Sequence, residues 1–342
     1  MIVMTRWKRR TKWWRLIAVF LILSGALIYA TLKFMKYVGR MPFRESTAPA
    51  VTIVIEPGMN APAIFRKLKA AGLIRDARQA VLYYRIRGHG TLKAGEYGFS
   101  GTASLDDILY KLEKGDILLH PFTVAEGLTA LQIADHLEQL GICKAADYLH
   151  AARRVSLIAH YDPAAADLEG YLFPSTYSFP AGVTANQIVA KQIETFLQRY
   201  LDLRQKENPS MGFREAVILA SLVERETGQP SERPLVASVF TNRLSRHMLL
   251  QCDPTVIYAL MLGGRYDGTI YRSSLTMDSP YNTYRHAGLP PGPICNPGEA
   301  SLEAALYPPA TQYLYFVARH DMTHIFSTSL DDHNHAVSLY QR

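Results

Sequence analysis

Apolar residues run without a charge through residues 16–32, LIAVFLILSGALIYATL, whereas the rest of the chain mixes apolar and polar positions at helix or strand spacing. The uncharged run predicts a helix that spans a bilayer, at the short end of the allowed length. Residues 33–50, with Pro42, Pro49 and scattered charge, read as a linker. Beyond it one pattern occurs twice. VTIVIEPGMNAPAIFRKLKAAGLI, from Val51, overlays FTVAEGLTALQIADHLEQLGIC, from Phe122, with Gly58 on Gly127, Ile64 on Ile133, Leu68 on Leu137 and Gly72 on Gly141. Each copy predicts a short β-branched strand, a turn, and a helix closed by glycine. Residues 92–116 add a glycine-punctuated bend and an amphipathic helix. Residues 51–168 are therefore expected to pack as one arm of small α+β modules.

From Glu169 the pattern changes. EGYLFPSTYSFP is aromatic and proline-rich, and a helix is predicted from Ala185 to about Gln205. FREAVILASLVERET (213–227) then reads as one amphipathic helix. At 3.6 residues per turn Phe213, Val217 and Ala220 align with Glu224, while Glu215 and Glu226 fall on the opposite face. A carboxylate walled by apolar side chains loses hydration of its charged form, so Glu224 is expected to hold a proton near neutral pH, as a general acid must. The competing reading is a buried ion pair with Arg225, Arg233 or Arg243. A further helix is expected after Ser231 as N-cap, followed by loop-rich sequence and the strand-like QYLYFVA. The fold class is α+β: a transmembrane helix, small modules, then a mixed α+β catalytic domain over 169–342.

Charge places the chain relative to the membrane. The net charge is +7, and Arg6, Lys8, Arg9, Arg10, Lys12 and Arg15 stand together in residues 1–15 without an acid. Such a flank stays cytoplasmic, and Trp7, Trp13 and Trp14 suit the headgroup boundary. The remaining chain would be exported. Subtracting those six charges from +7 leaves +1 for it, which is no footprint for nucleic acid. A cleaved signal peptide fits less well, because no small-x-small site follows closely. Cys143, Cys252 and Cys295 allow at most one disulfide, and their spacing matches no zinc pattern. His324, His333 and His335 sit among Asp331, Asp332 and Asn334, which reads as a solvated loop or a substrate edge. No metal or cofactor is expected.

The ordered segments ASLVERET (220–227), VASVFTNRL (236–244), LLQCDPTVIYAL (249–260), SPYNTY (279–284), GLPPGPICNPG (288–298) and YLYFVA (313–318) resemble the YceG-like family of endolytic murein transglycosylases. The likeness covers nearly the whole chain, and the repeated modules resemble the LysM-like modules that bind N-acetylated glycans. Three positions depart from the family pattern. Ser175 stands where aspartate is common, Cys252 where a small hydroxyl residue is usual, and Arg246-His247 replace a glycine-containing turn.

The resemblance implies a membrane-anchored lyase that cuts the bond from N-acetylmuramic acid to N-acetylglucosamine within nascent peptidoglycan strands and leaves 1,6-anhydromuramyl ends. It assigns the catalytic role to Glu224. Gln251, Asp253, Asn282, Tyr284 and Asn296 are candidates to position the glycan strand. Asp253 has a competing role as cap of a helix starting at Pro254-Thr255, and Glu169 is the other candidate acid. Partners would be glycan strands, the membrane through the single N-terminal helix, and peptidoglycan synthases. Two other readings stay open at this point: a muramidase with a second carboxylate, and a non-enzymatic cell-wall scaffold.

Overall fold

The computed structural model describes residues 3–40, 49–88, 90–205, 211–321 and 323–340, with side chains from Trp13 onward. They fall into two compact units, residues 1–120 with 179–181 and residues 121–178 with 182–342. Helix α1 (Val3–Arg40) does not stop at Leu32 as the hydropathy suggested. From Trp13 it is long and apolar enough to cross a membrane, and its last turns bring Phe34, Met35 and Val38 against the first unit's core. Residues 33–40 are therefore helix, because three apolar side chains find a surface to cover. Residues 41–48 of the expected linker lie outside the described residues.

In the first unit, β1 (Val51–Ile55) is followed by α2 (Ala61–Ala70) and α3 (Ala77–Arg87), and then by β2 (Gly95–Phe99) and α4 (Leu105–Lys114). The two strands pair antiparallel, with Ile53 opposite Tyr97. Local chemistry sets the helix starts: the Asn60 side chain accepts from Ala63 N, and Ser104 with Asp107 forms a reciprocal capping box. Ile53, Ile55, Phe65, Leu68, Tyr97 and Ile108 fill the core.

The second copy of the repeat belongs to the other unit. Its strand β3 (His120–Thr123) leads to α5 (Ala130–Gln139) and α6 (Ala145–Ala151), and β3 pairs with β4 (Thr176–Phe179). The copies share a local design, with Gly58 at φ +82° and Gly127 at φ +77° in equivalent turns. They do not share a core. Each strand finds its partner elsewhere in sequence, so the compact division falls after His120 and not at 168/169.

The second unit continues with α7 (Ala185–Arg204), α8 (Phe213–Glu226), α9 (Arg233–Ser245), α10 (Asp253–Leu262) and α11 (Glu299–Leu306), then a hairpin of β5 (Tyr315–Ala318) and β6 (His324–Ser327), and α12 (Leu330–Tyr340). Ser231 does not cap α9; a single 3₁₀ turn, Pro230–Glu232, precedes it. Helix α8 is central. It packs on α9, α10 and α11, and every residue from Ala216 to Val223 is buried. Tyr171, Phe196, Tyr200 and Phe213 form a ring cluster at its start. Residues 288–298 lie along the same helix: Ser221 Oγ accepts Ile294 N at 3.1 Å, and the Cys295 thiol donates to Ser221 O at 3.3 Å. Gly170, at φ +87°, passes beneath Pro293, where any Cβ would sit 2.4 Å from the proline ring.

Candidate active site

Of the three glutamates of α8, Glu215 is exposed, while Glu224 and Glu226 meet two different environments set by the packing of the helix on nearly all sides. Glu224 is only 5% exposed and spends both oxygens on protein partners. Arg233 Nη2 donates to Oε1 at 2.9 Å, and Gly298 N donates to Oε2 at 3.0 Å. The same Arg233 nitrogen reaches Glu126 at 3.2 Å. Of the three arginines weighed from sequence, Arg233 is the partner.

Glu226, two residues on, projects from the opposite face into a cavity of about 490 Å³ lined also by Arg243, Gln251, Asp253, Tyr284, Phe316, His324 and His333. That face was expected to be solvent. In a helix packed all round, it instead becomes the wall of a polar cleft. Burial pushes the Glu226 carboxyl up to about 7; a hydrogen bond from the Cys252 thiol works against this, the charge of Asp253 adds to it, and Arg243 opposes it. The Cys252 thiol is itself buried and held well above its ordinary range, first by burial and then by Glu226.

The stretch before α10 carries the facing residues. Gln251 holds a left-handed φ of +51°, with its N–H donating to Thr283 O at 3.2 Å. Cys252 N donates to Thr283 Oγ1 at 3.0 Å. Asp253 begins α10 but makes no cap bond; its Oδ1 accepts the Tyr284 phenol at 2.5 Å. Burial and this carboxylate raise the phenol above its usual range. Arg243 is a scaffold: it donates to Leu314 O, Leu249 O and Leu250 O, and its guanidinium lies over the Tyr315 ring.

Asn282 and Asn296 do not join this cleft. Both are fully buried. Asn282 Nδ2 donates to Leu275 O and Met277 O, and its Oδ1 accepts Tyr284 N, so it shapes the loop that carries Tyr284. Asn296 Oδ1 accepts Gly170 N and Leu172 N, while Nδ2 donates to Leu128 O and Glu169 Oε1. Every amide atom is spent on the fold. Glu169 lies beside a separate cavity of about 250 Å³ with Tyr258, Asp167 and Leu131. Both its oxygens accept Ala130 N at the start of α5, and burial pushes its carboxyl up to about 8.

The sequence pattern of the YceG-like family matches residues 53–339, a span that contains Glu226 and every other residue of the cleft. The chain belongs to the YceG-like family. A Bacillus subtilis protein named endolytic murein transglycosylase is 32% identical over 339 residues, covering 94% of this chain and 91% of that relative. A Streptococcus pneumoniae protein of the same name is 30% identical, covering 87% of this chain and 60% of that longer relative. The crystal structure of a yceG-like protein from Listeria monocytogenes is 34% identical and superposes with a TM-score of 0.56, covering 85% of this chain and all of that one.

Helix periodicity in this YceG-like sequence put Glu226 on the face opposite Glu224 and gave no sign that the face borders a cleft. The available signal was the apolar run of α8 itself: residues 216–223 include only one polar side chain, Ser221, too few for a helix with a wet face. His324 and His333 were expected in a solvated loop or at a substrate edge. They stand on β6 and α12 and line the cleft. The three cysteines are free thiols.

Proposed function

We propose that this protein is an endolytic murein transglycosylase, a lyase that cuts within peptidoglycan glycan strands, and that Glu226 is its acid and base. The name carried by the relatives supports the activity. One observation carries the choice of residue: a carboxyl held near pH 7 in the polar cleft, while both oxygens of Glu224 are engaged by Arg233 and Gly298. Glu224 remains the alternative acid, and this geometry favours a structural role for it.

In the proposed reaction, protonated Glu226 gives its proton to the glycosidic oxygen as the bond from muramyl C1 to that oxygen breaks. The departing N-acetylglucosamine leaves with a hydroxyl. The carboxylate then removes the proton of the muramyl C6 hydroxyl, whose oxygen bonds to C1 and closes the 1,6-anhydro ring. The proton returns to Glu226, and no water is consumed. An internal nucleophile benefits from high effective concentration, so one carboxyl suffices for both proton transfers. Asp253, lining the same cleft and bonded to Tyr284, would stabilise positive charge developing on the sugar ring. Gln251 and Tyr284 would position the strand.

That second carboxylate is also what favours the rival reading, a muramidase in which Asp253 activates water. The test is to incubate the full-length protein in detergent with uncrosslinked glycan strands and identify the muramyl ends by mass spectrometry. Anhydro ends support the transglycosylase. Reducing ends would replace it with the hydrolase, and intact strands that remain bound would leave the scaffold.

Helix α1 would anchor the chain in the cytoplasmic membrane with its basic tail inside and the chain from Val51 onward outside, and the cut would then fall on nascent strands and end their elongation. The strand, turn and helix modules would hold glycan in the LysM-like manner, and synthases that make those strands would be the natural protein partners.

A further inference from the structure

His324 and Glu232 form a pair that the proposed proton transfers do not use. Glu232 ends the single 3₁₀ turn before α9, and His324 opens β6. The two are clamped at two points: Glu232 Oε1 accepts the backbone N–H of His324 at 2.8 Å, and Oε2 contacts ring Nδ1 at 2.7 Å. The Thr227 hydroxyl donates to the same Oε2 at 3.3 Å. Thr227 directly follows Glu226, so the clamp is tied to the helix end that presents the candidate acid. Phe316 meets the imidazole edge-on at 5.5 Å, and Phe326 lies at 6.4 Å. Among the described residues no other group bonds the ring, which is 10% exposed and lines the cleft with Glu226, Asp253 and Tyr284.

Glu232 decides which ring nitrogen carries the proton. Burial alone would raise its carboxyl, but the bonds from the His324 ring and backbone and from the Thr227 hydroxyl hold it below its ordinary value. A charged carboxylate only accepts hydrogen bonds, so Nδ1 bears the hydrogen and a neutral ring keeps a bare lone pair on Nε2. His333, the other histidine of the cleft, differs. It stacks on Tyr315 at 5.2 Å, its buried Nδ1 has no partner, and burial with the charge of Arg243 lowers its affinity for a proton. Of these two cleft histidines, only His324 has a carboxylate that fixes its tautomer.

We infer that His324 is a substrate-binding residue: its Nε2 accepts a hydrogen bond from a hydroxyl or acetamido N–H of the N-acetylated sugar in the cleft, and Glu232 is the positioning residue that keeps Nε2 bare. This rests on the transglycosylase reading and adds to it the group that would orient a sugar against Glu226. Such a bond forms on binding and persists through the reaction, so its loss raises KM and leaves kcat nearly unchanged.

The experiment compares full-length wild type, His324→Asn and His324→Gln in detergent, cutting uncrosslinked strands. Asparagine keeps an amide near Nδ1 to bond Glu232 and lacks anything at Nε2; glutamine places an amide near Nε2. His324→Asn is expected to raise KM about 3- to 10-fold with kcat within about twofold, and His324→Gln to recover part of the loss. Nitrogen-15 NMR of the ring should show a bare Nε2 that shifts when glycan is added. A wild-type KM in His324→Asn, or a hydrogen already on Nε2 in the free protein, would overturn the inference while leaving the transglycosylase standing. Wild-type protein that cuts no strand would remove both.

Discussion

The buried thiol of Cys252 and the carboxyl of Glu226 are close enough to shift each other's titration, the thiol drawing the carboxyl down and the carboxyl pushing the thiol up. A thiol is a weak donor, and it opposes only part of the effect of burial, which leaves Glu226 at about 7. A general acid must be protonated to act, so kcat/KM should fall as pH rises through about 7. Serine at this position offers a stronger donor to the charged form. Cys252→Ser should therefore move the falling limb to lower pH, and a pH–rate profile on glycan strands measures it. A limb that stays in place would deny that Cys252 sets the acid.

The Tyr284 phenol holds Asp253 at 2.5 Å on the other side of the cleft. If Asp253 stabilises charge that exists only in the transition state, Asp253→Asn should lower kcat about 100-fold with little change in KM. Tyr284→Phe, which frees the carboxylate without neutralising it, should cost about tenfold. Steady-state kinetics on strands of defined length would measure both. An Asp253→Asn enzyme of wild-type kcat would confine Asp253 to loop structure.

Glu169 links stability to pH. Its carboxyl sits at about 8 in the fold, first because it is buried, against about 4.3 in an unfolded chain. The folded state thus binds the proton more tightly. Its stabilising effect is full below about pH 4.3 and is lost as pH rises through about 8, and Glu226 adds a similar trend up to about 7. Glu169→Gln should flatten the fall of Tm between about pH 5 and 8, read by calorimetry in detergent. Parallel curves for mutant and wild type would place the titration elsewhere.

Asn296 is a folding residue on this geometry. Asn296→Ala strands the N–H groups of Gly170 and Leu172 and the carboxyl of Glu169, and should destabilise by about 2–4 kcal/mol. A thermal melt together with KM separates the two roles. An unchanged Tm with a raised KM would return Asn296 to the substrate.

Much of the chain was legible from pattern. Helix α8 was bounded to within a residue, and the repeated strand, turn and helix are both present. What failed has one cause: local periodicity does not contain tertiary surroundings. It assigned one wet face to α8, yet α9, α10, α11 and residues 288–298 cover that helix, and the face holding Glu226 opens on the cleft. It grouped the two repeat copies into one arm, although β1 pairs with β2 and β3 with β4. Gln251, Asp253 and Tyr284 were gathered from sequence as polar side chains of the loop-rich stretch, and they line the cleft. Asn282 and Asn296 came from the same loops and turned inward, which composition cannot distinguish.

The central claim is that Glu226, and not Glu224, moves the proton. The direct measurement is the yield of 1,6-anhydromuramyl ends from uncrosslinked strands with Glu226→Gln and Glu224→Gln, each beside its thermal melt. Glu226→Gln should lose roughly 10²- to 10⁴-fold in rate while melting near wild type. Glu224→Gln should melt lower, because Arg233 loses its buried charged partner and keeps only the more exposed Glu126, and should still make anhydro ends. A Glu226→Gln protein of wild-type rate, beside a well-folded and inactive Glu224→Gln, would contradict the account.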